Sequence, residues 1–294
     1  MEVLRRLFHR VPASTPGLRA APERVRHLRY GQVSDVGRAR DNNQDACLTL
    51  AACEWGGAAL GARPGECDAL AGFSLFIVAD GMGGHQRGEQ ASSLAARVIA
   101  EYMADQAYLP MLTPGNHRNP GEGLMDALND AIRAANAAVA EQVPDGGTTL
   151  TAAAIYDHYA YIAHVGDSRA YLIARNGADV QMQRLTRDHS LVQRLIELDQ
   201  LTPEQAAEHP HRNVLYRAIG QSDHLELDNQ IVYLPPASRL LLCSDGLWNM
   251  VPEPTIAEIV TAAAPQQACE RLVAAANAQG GLDNITAVLI QLPG

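Results

Sequence analysis

Residues 74–84 read Ser-Leu-Phe-Ile-Val-Ala-Asp-Gly-Met-Gly-Gly, an apolar run that ends in an aspartate and a group of glycines. The run is short and bounded, which predicts a buried strand. The glycine pair at positions 83 and 84 interrupts the chain, and apolar residues then recur at helical spacing between Arg87 and Tyr102. Asp80 is therefore predicted to lie at the end of a buried strand, just before a helix.

Three more aspartates follow an apolar run or a glycine turn in the same way. They are Asp167 in Val-Gly-Asp-Ser-Arg, Asp245 in Cys-Ser-Asp-Gly-Leu-Trp and Asp283 in Gly-Leu-Asp-Asn-Ile-Thr. A single Asp-Gly pair is usually only a turn, so the prediction depends on the four together. Two carboxylates about 4 Å apart repel each other by roughly 4 kcal/mol at an effective dielectric constant near 20. A convergent cluster would need a divalent cation or shared protons, and the pattern predicts a metal site with oxygen ligands.

The bulk composition limits the classes of function. The chain has 294 residues, of which 47% are hydrophobic, enough for one large domain with a buried core. Its net charge of −10 disfavours nucleic-acid binding and a metal-dependent nuclease. The sequence contains no lysine, which excludes a lysine Schiff base and a P-loop lysine.

The charge is unevenly distributed along the chain. Residues 1–28 form an arginine-rich segment that we interpret as a basic flexible tail, followed by a single domain over 29–294. A contact of this tail with an anionic partner or a membrane surface is the weaker alternative. The start of the chain lacks the apolar run of a secretory signal, and no stretch approaches the roughly 18 apolar residues of a membrane span.

The cysteines indicate a reducing compartment. The five cysteines are scattered and show no zinc-ligand spacing, so we interpret them as buried thiols. A disulfide between Cys53 and Cys67 is the weaker alternative. Together with the absence of a signal, this predicts a cytoplasmic protein.

The order of predicted elements favours an α+β fold. Helices are predicted at 87–102 and 123–141, between groups of strands, and at 255–264 and 265–279, before a last strand at 285–292. Residues 52–72 and 106–122 are predicted to be loops, and 187–217 is polar and helix-prone. This order indicates sheets packed face to face with helices outside, and differs from the regular alternation of a doubly wound fold.

The short motifs form an ordered set along the chain. They are Ser34–Ala46, Val78–Gly84, Gly147-Thr148-Thr149, Gly166–Arg169, Leu185–Ser190, Ser244–Trp248 and Asp283-Asn284. With these motifs, the chain resembles the metal-dependent Ser/Thr protein phosphatases of type 2C, in their compact bacterial form, over about residues 30–292. The resemblance implies a four-layer α-β-β-α sandwich, with two antiparallel sheets flanked by helix pairs.

The resemblance also implies a centre of two Mn²⁺ or Mg²⁺ ions with a weaker third. Asp80 is expected to bridge the two ions, and Asp245 and Asp283 to complete the first. The backbone carbonyl of Gly81 would serve the second ion, and Asp45 would hold it through water. Such oxygen ligands suit these hard cations.

Further residues are assigned by the same resemblance. Asp167 matches the position that holds the third ion together with Asp245. Arg40 matches the arginine that binds the substrate phosphate, which a guanidinium can grip with two parallel hydrogen bonds. The implied reaction is the direct attack of a metal-bridging water on phosphorus, without a covalent phosphoenzyme.

Two positions depart from the eukaryotic relatives. Gln44 stands where they have a glutamate, so the second ion loses a negative ligand and is expected to bind more weakly. Met82 stands where they have a histidine proposed as the general acid. His85 is a weaker candidate for proton transfer, since a lone histidine after a Gly-Gly turn is more often a surface residue.

The resemblance implies phosphoprotein substrates and an opposing bacterial Ser/Thr kinase. The expected enzyme is a phosphoserine/phosphothreonine phosphatase, with no nucleic-acid partner, and we expect a monomer. The alternative is a catalytically impaired member that acts as a signalling or binding module, which the complete set of expected ligands disfavours. Asp188, His189, Ser168, Arg169, Trp248 and Asn284 are interpreted as packing, capping or supporting residues.

Overall fold

The computed structural model of the protein describes residues 27–53, 58–60, 67–112, 121–176 and 179–294. The strands within these ranges are β1 (His27–Asp35), β2 (Asp45–Cys53), β3 (Ala58–Leu60), β4 (Cys67–Met82), β5 (Gly147–Thr148), β6 (Leu150–Tyr156), β7 (Tyr159–Val165), β8 (Arg169–Asn176), β9 (Asp179–Arg184), β10 (Asp228–Tyr233), β11 (Arg239–Cys243) and β12 (Ile285–Gln291).

Most of the described helices flank the two groups of strands. They are α1 (His85–Met103), α2 (Leu109–Leu112), α3 (Leu124–Gln142), α4 (Leu191–Glu197), α5 (Pro203–Ala207), α6 (Asp245–Trp248), α7 (Glu253–Ala262) and α8 (Pro265–Ala278). A π-helical turn, Ala104–Tyr108, joins α1 to α2. Across the described ranges, none of the helices has the length and apolar character that crossing a bilayer requires.

The strands form two antiparallel sheets. The first has the order β10-β7-β6-β4-β2, and the second has the order β1-β12-β11-β8-β9. The start of β4 also pairs with β1, with Tyr30 opposite Cys67, so the hydrogen-bonded path runs from one sheet into the other.

The side chains of the central strands point alternately to opposite faces of each sheet, and this alternation creates the layers of the fold. In β4, Leu75 and Ile77 pack with residues of α1 and α3, whereas Phe76 and Val78 lie in the cluster between the two sheets. In β11, Leu240 and Leu242 enter that same central cluster, and the alternate side chains pack with α7 and α8. Because neighbouring side chains on a strand point to opposite faces, each sheet is covered on both sides. The predicted four-layer α-β-β-α sandwich is confirmed.

Several boundaries differ from the sequence prediction. His27 and Leu28, expected in the tail, belong to β1, and the rest of that tail, residues 1–26, lies outside the described residues. The expected loop at 52–72 contains β3 and the first part of β4, and helical residues occupy 106–112 of the second expected loop. Strand β9 was missed because its sequence, Asp-Val-Gln-Met-Gln-Arg, contains only two apolar residues and lies mostly exposed at a sheet edge.

The topology brings the strand ends that carry the aspartates to one edge of the sandwich. Asp45 begins β2 and lies opposite Asp80 near the end of β4. Asp245 follows β11 and Asp283 precedes β12, and these two strands are antiparallel neighbours. The turn with Asp167 joins β7 to β8. Residues far apart in sequence therefore meet where these strands begin or end.

Replacing Phe76 tests the central layer. Its ring is fully buried and meets Tyr30 edge-on, with ring centroids 5.5 Å apart. We expect Phe76→Ala to lower the free energy of unfolding by about 3–5 kcal/mol because it leaves a cavity. Urea unfolding measures this change, with Phe76→Leu as the milder control. A loss below about 1 kcal/mol for the alanine variant would contradict the described packing.

Candidate metal centre and phosphate site

One cavity of about 510 Å³ opens at this edge of the sandwich. Its walls come from the loop before β2, the end of β4 and the strand ends that bear the aspartates. The predicted site residues that line it are Arg40, Asp80, Gly81, Asp167, Asp245 and Asp283. Asp45 is not part of the cavity wall and lies beside Asp80 across the β2–β4 pair.

Asp80 is one of the two most strongly perturbed carboxyls of the centre, with Asp245. Its backbone is held by Thr149, which accepts a hydrogen bond from the Asp80 N–H at 3.0 Å and donates its own N–H to the Asp80 carbonyl at 2.8 Å. Burial, followed by the charges of Asp45 and Asp245, raises the pKa of Asp80 well above its usual range. Ionised Asp80 therefore requires a nearby positive charge.

Asp45 has one satisfied and one unsatisfied carboxyl oxygen. Its Oδ2 accepts hydrogen bonds from the hydroxyls of Thr286, at 2.6 Å, and Ser244, at 2.7 Å. Its Oδ1 is shielded from solvent and has no hydrogen-bond partner. Burial raises the pKa of Asp45 to about 6, while the two hydroxyls oppose this shift. The two hydroxyls thus favour the ionised form of this buried side chain.

Asp245 and Asp167 are two further buried carboxyls of the cluster. Asp245 begins α6, and its Oδ1 is likewise shielded from solvent without a partner. Burial, then the charges of Asp167 and Asp283, raise the pKa of Asp245 well above its usual range. Burial, then the charge of Asp188, raise the pKa of Asp167 to about 7. As for Asp80, burial and neighbouring negative charges disfavour the ionised forms of both carboxyls.

Asp283 is paired with Arg40 at the mouth of the cavity. A guanidinium nitrogen of Arg40 donates to Asp283 Oδ2 at 2.6 Å, and 49% of the arginine side chain is exposed. This hydrogen bond is the main reason that the pKa of Arg40 is raised. Arg40 therefore places a permanent positive charge beside the carboxylates and remains open to solvent.

Gly81 allows the end of β4 to approach the first turns of α1. A Cβ atom at this position would lie 2.1 Å from the carbonyl oxygen of Gly88, so no other residue fits without displacing the backbone. Gly81 also donates its N–H to the carbonyl of Gln44 at 3.1 Å. The close packing explains why this motif requires glycine.

The chemistry of the donor set fits a hard divalent cation. Two shielded oxygens, one on Asp45 and one on Asp245, have no partner, and every predicted ligand is an oxygen. Within the part of the chain that the structure describes, no three His, Cys, Asp and Glu side chains are placed to hold an ion as they stand. The fit to a cation thus depends on the unsatisfied oxygens and on the crowding of buried carboxyls. Binding of an ion requires the aspartate side chains to adjust.

A buried arginine supports the Asp167 turn. Arg169 forms two hydrogen bonds with Asp188, at 3.0 and 2.6 Å, and its guanidinium lies 3.4 Å from the ring centroid of Trp248. Trp248 in turn donates its indole N–H to the Asp167 carbonyl at 3.0 Å. The supporting role expected for Arg169 and Trp248 agrees with these contacts.

The loop before β2 is organised by Asn284. Its amide nitrogen donates to the carbonyls of Val36 and Asn42, both at 2.9 Å, and its amide oxygen accepts from the Gln44 N–H at 2.8 Å. Only the backbone N–H of Asn284 reaches Asp283, at 2.9 Å. The side chain was expected to orient Asp283, but it fixes the loop that presents Arg40.

Sequence reasoning missed several residues at this site. Thr286 contacts the Asp45 carboxylate and Thr149 holds the Asp80 backbone, but neither was given a role. Asn213 and Leu215 line the cavity from the segment after α5. Met82 also lines the cavity, and its sulfur lies 3.7 Å from the side-chain nitrogen of Gln221. The side chains of His85, Cys53 and Cys67 lie outside the described part of the structure.

Comparison with known proteins identifies the family. The model of the protein phosphatase 2C family matches residues 65–282, which is more than half of the chain. The chain is 38% identical over 224 residues to the serine/threonine phosphatase stp of Listeria innocua, covering 74% of this chain and 84% of that protein. It is 36% identical over 261 residues to the protein phosphatase PhpP of Streptococcus pneumoniae, covering 88% and 96%.

A solved structure shows the same fold with metal. The catalytic domain of the serine/threonine protein phosphatase PstP in complex with two manganese ions superimposes with a TM-score of 0.70 at 32% identity, covering 91% of this chain and 99% of that one. The chain therefore belongs to the protein phosphatase 2C family and is a serine/threonine phosphatase of the bacterial type.

Neutralising Asp80 should stabilise the metal-free protein. In EDTA, Asp80→Asn removes one charge from a crowded set of carboxyls, and we expect the free energy of unfolding to rise by on the order of 1–3 kcal/mol. Thermal unfolding in EDTA measures this, with exposed Asp223→Asn as the matched control. An unchanged or lower unfolding midpoint for Asp80→Asn would show that the carboxyls do not strain one another.

Proposed function

We propose that this phosphatase hydrolyses phosphoserine and phosphothreonine in proteins, with Mn²⁺ or Mg²⁺ held by the carboxylates of the cavity. The observation that carries the proposal is the convergence of Asp80, Asp167, Asp245 and Asp283 on one cavity, with Arg40 at its mouth. The relatives named serine/threonine phosphatases, and the relative solved with two manganese ions, support the same reading.

The proposed ligand set is the one that the family resemblance implies, and the grouping of the aspartates at one cavity supports it. Asp80 lies at the centre of the cluster and would contact two ions, with Asp245 and Asp283 on the first. The Gly81 carbonyl and, through water, Asp45 would serve the second, and Asp167 with Asp245 would hold a weaker third. When bound, these cations supply an acidified water as nucleophile and positive charge for the phosphoryl oxygens.

Arg40 is proposed to orient the substrate. Its guanidinium is half exposed at the cavity mouth, where it can donate two parallel hydrogen bonds to phosphate oxygens. Its pairing with Asp283 keeps the side chain extended over the carboxylates. Arg40 thereby also stabilises negative charge that develops on the phosphoryl group.

The proton for the leaving oxygen is not supplied by Met82. A thioether has no proton to donate, although Met82 lines the cavity at the position where a general acid would be useful. We therefore assign leaving-group protonation to water in the open cavity.

The proposed partners are phosphorylated proteins, including an opposing Ser/Thr kinase. Phosphoproteomics of a strain that lacks the gene tests the partner proposal, and an unchanged Ser/Thr phosphoproteome would contradict it.

The proposed location is the cytoplasm. The buried free thiols of Cys47, Cys243 and Cys269 support this proposal because they are typical of a reducing compartment.

Removal of metal should abolish turnover. We expect hydrolysis of a phosphothreonine peptide and of p-nitrophenyl phosphate with Mn²⁺, none in EDTA, and a loss of at least about 100-fold in kcat for Asp80→Ala. Phosphate release measures each case. Activity that persists in EDTA, or survives in Asp80→Ala, would rule out the proposed centre. Peptide binding without hydrolysis would favour the alternative of an impaired binding module.

Replacing Arg40 should weaken recognition of phosphate. Arg40→Lys keeps the positive charge but loses the paired N–H donors of the guanidinium. We expect KM for a phosphopeptide to rise about tenfold, which corresponds to a loss of about 1.4 kcal/mol in binding free energy. Steady-state kinetics measure this, with exposed Arg97→Lys on α1 as the control. Equal KM values for the two variants would contradict the assigned role.

A further inference from the structure

Asp45 is held by a ring of hydrogen bonds that joins both sheets. Asn43 donates from its amide nitrogen to Ser34 Oγ at 2.8 Å, and Ser34 Oγ lies 2.8 Å from Thr286 Oγ1. Thr286 Oγ1 lies 2.6 Å from Asp45 Oδ2. The backbone N–H of Asp45 closes the ring by donating to the amide oxygen of Asn43 at 3.1 Å.

The direction of every bond in this ring is determined. The Asn43 amide nitrogen can only donate, so Ser34 accepts there and its single hydroxyl proton is left for Thr286. Thr286 then has its own proton for Asp45. The Asn43 amide cannot be reversed, since its oxygen accepts from the Asp45 N–H. From the Asn43 amide through Ser34 and Thr286, the protons therefore point toward the Asp45 carboxyl.

A second hydroxyl reaches the same carboxyl oxygen. Ser244 Oγ accepts the N–H of Thr286 at 2.9 Å, which directs its proton toward Asp45 Oδ2, 2.7 Å away. An oxygen that receives two hydroxyl protons has no place for a proton of its own. Asp45 Oδ2 is thus saturated, whereas Oδ1 is shielded from solvent and has no partner.

We propose that Thr286 and Ser244 are positioning residues that hold Asp45 as a carboxylate with Oδ1 presented beside Asp80. This inference rests on the proposed function, because the free oxygen would serve the hydration shell of the second cation. Gln44 carries no charge, so in this chain Asp45 supplies the negative charge on the β2 side of the centre. Residues that orient metal ligands in this way typically change metal affinity by about 10–100-fold when replaced.

Calorimetric titration of Mn²⁺ into the metal-free protein tests the proposal. Thr286→Val keeps the shape of the side chain and removes the hydroxyl, and we expect one of the ions to bind at least about tenfold more weakly. Thr286→Ser restores a hydroxyl and should bind Mn²⁺ nearly as the wild type does. Ser244→Ala removes the other hydroxyl that bonds to Asp45 and should weaken Mn²⁺ binding in the same way.

The matched control is Thr49→Val in the same strand as Asp45. Thr49 is equally buried, but its hydroxyl donates to Gln32 at 2.8 Å, away from the carboxylates. Weakening in Thr286→Val and Ser244→Ala but not in Thr49→Val supports the proposal. Equal affinities for Thr286→Val and Thr286→Ser, or the same weakening in Thr49→Val, would overturn it. A wild-type protein that binds no Mn²⁺ would overturn the proposed function itself.

Discussion

The mutual repulsion of carboxylates at one edge of the sandwich is the constraint on which the rest of the site depends. Burial and neighbouring charges raise the pKa values of Asp80, Asp245 and Asp167 together. Such a cluster persists only if the surrounding structure holds it in place and a cation neutralises it when it acts. The sandwich provides this hold because each carboxylate lies beside the end of a strand whose central residues are buried.

The supports around the cluster are built from different parts of the chain. Hydroxyls from the second sheet fix Asp45, Thr149 fixes the backbone of Asp80, and the Arg169–Trp248 stack fixes the Asp167 turn. Each support joins elements that are distant in sequence. The site is therefore a property of the packed sandwich, and loosening the central layer should affect metal binding as well as stability.

The sequence predicts the parts of the site that carry local signals. Asp80 was identifiable because an apolar run ends there and glycines follow, and helices α1 and α3 were identifiable from their periodicity. The resemblance to a family then supplied the roles of Arg40 and Asp45. Strand β9 escaped prediction because it is short, contains only two apolar residues and is mostly exposed. The contact of Thr286 with Asp45 joins residues 241 positions apart, and no local pattern signals such a pairing.

Diffraction from crystals soaked in Mn²⁺, recorded at the manganese absorption edge, tests the central claim most directly. The account predicts two anomalous peaks that share Asp80 as a ligand, one of them also contacting Asp245 and Asp283. Soaked crystals in which no manganese peak lies within coordinating distance of Asp80 would contradict it.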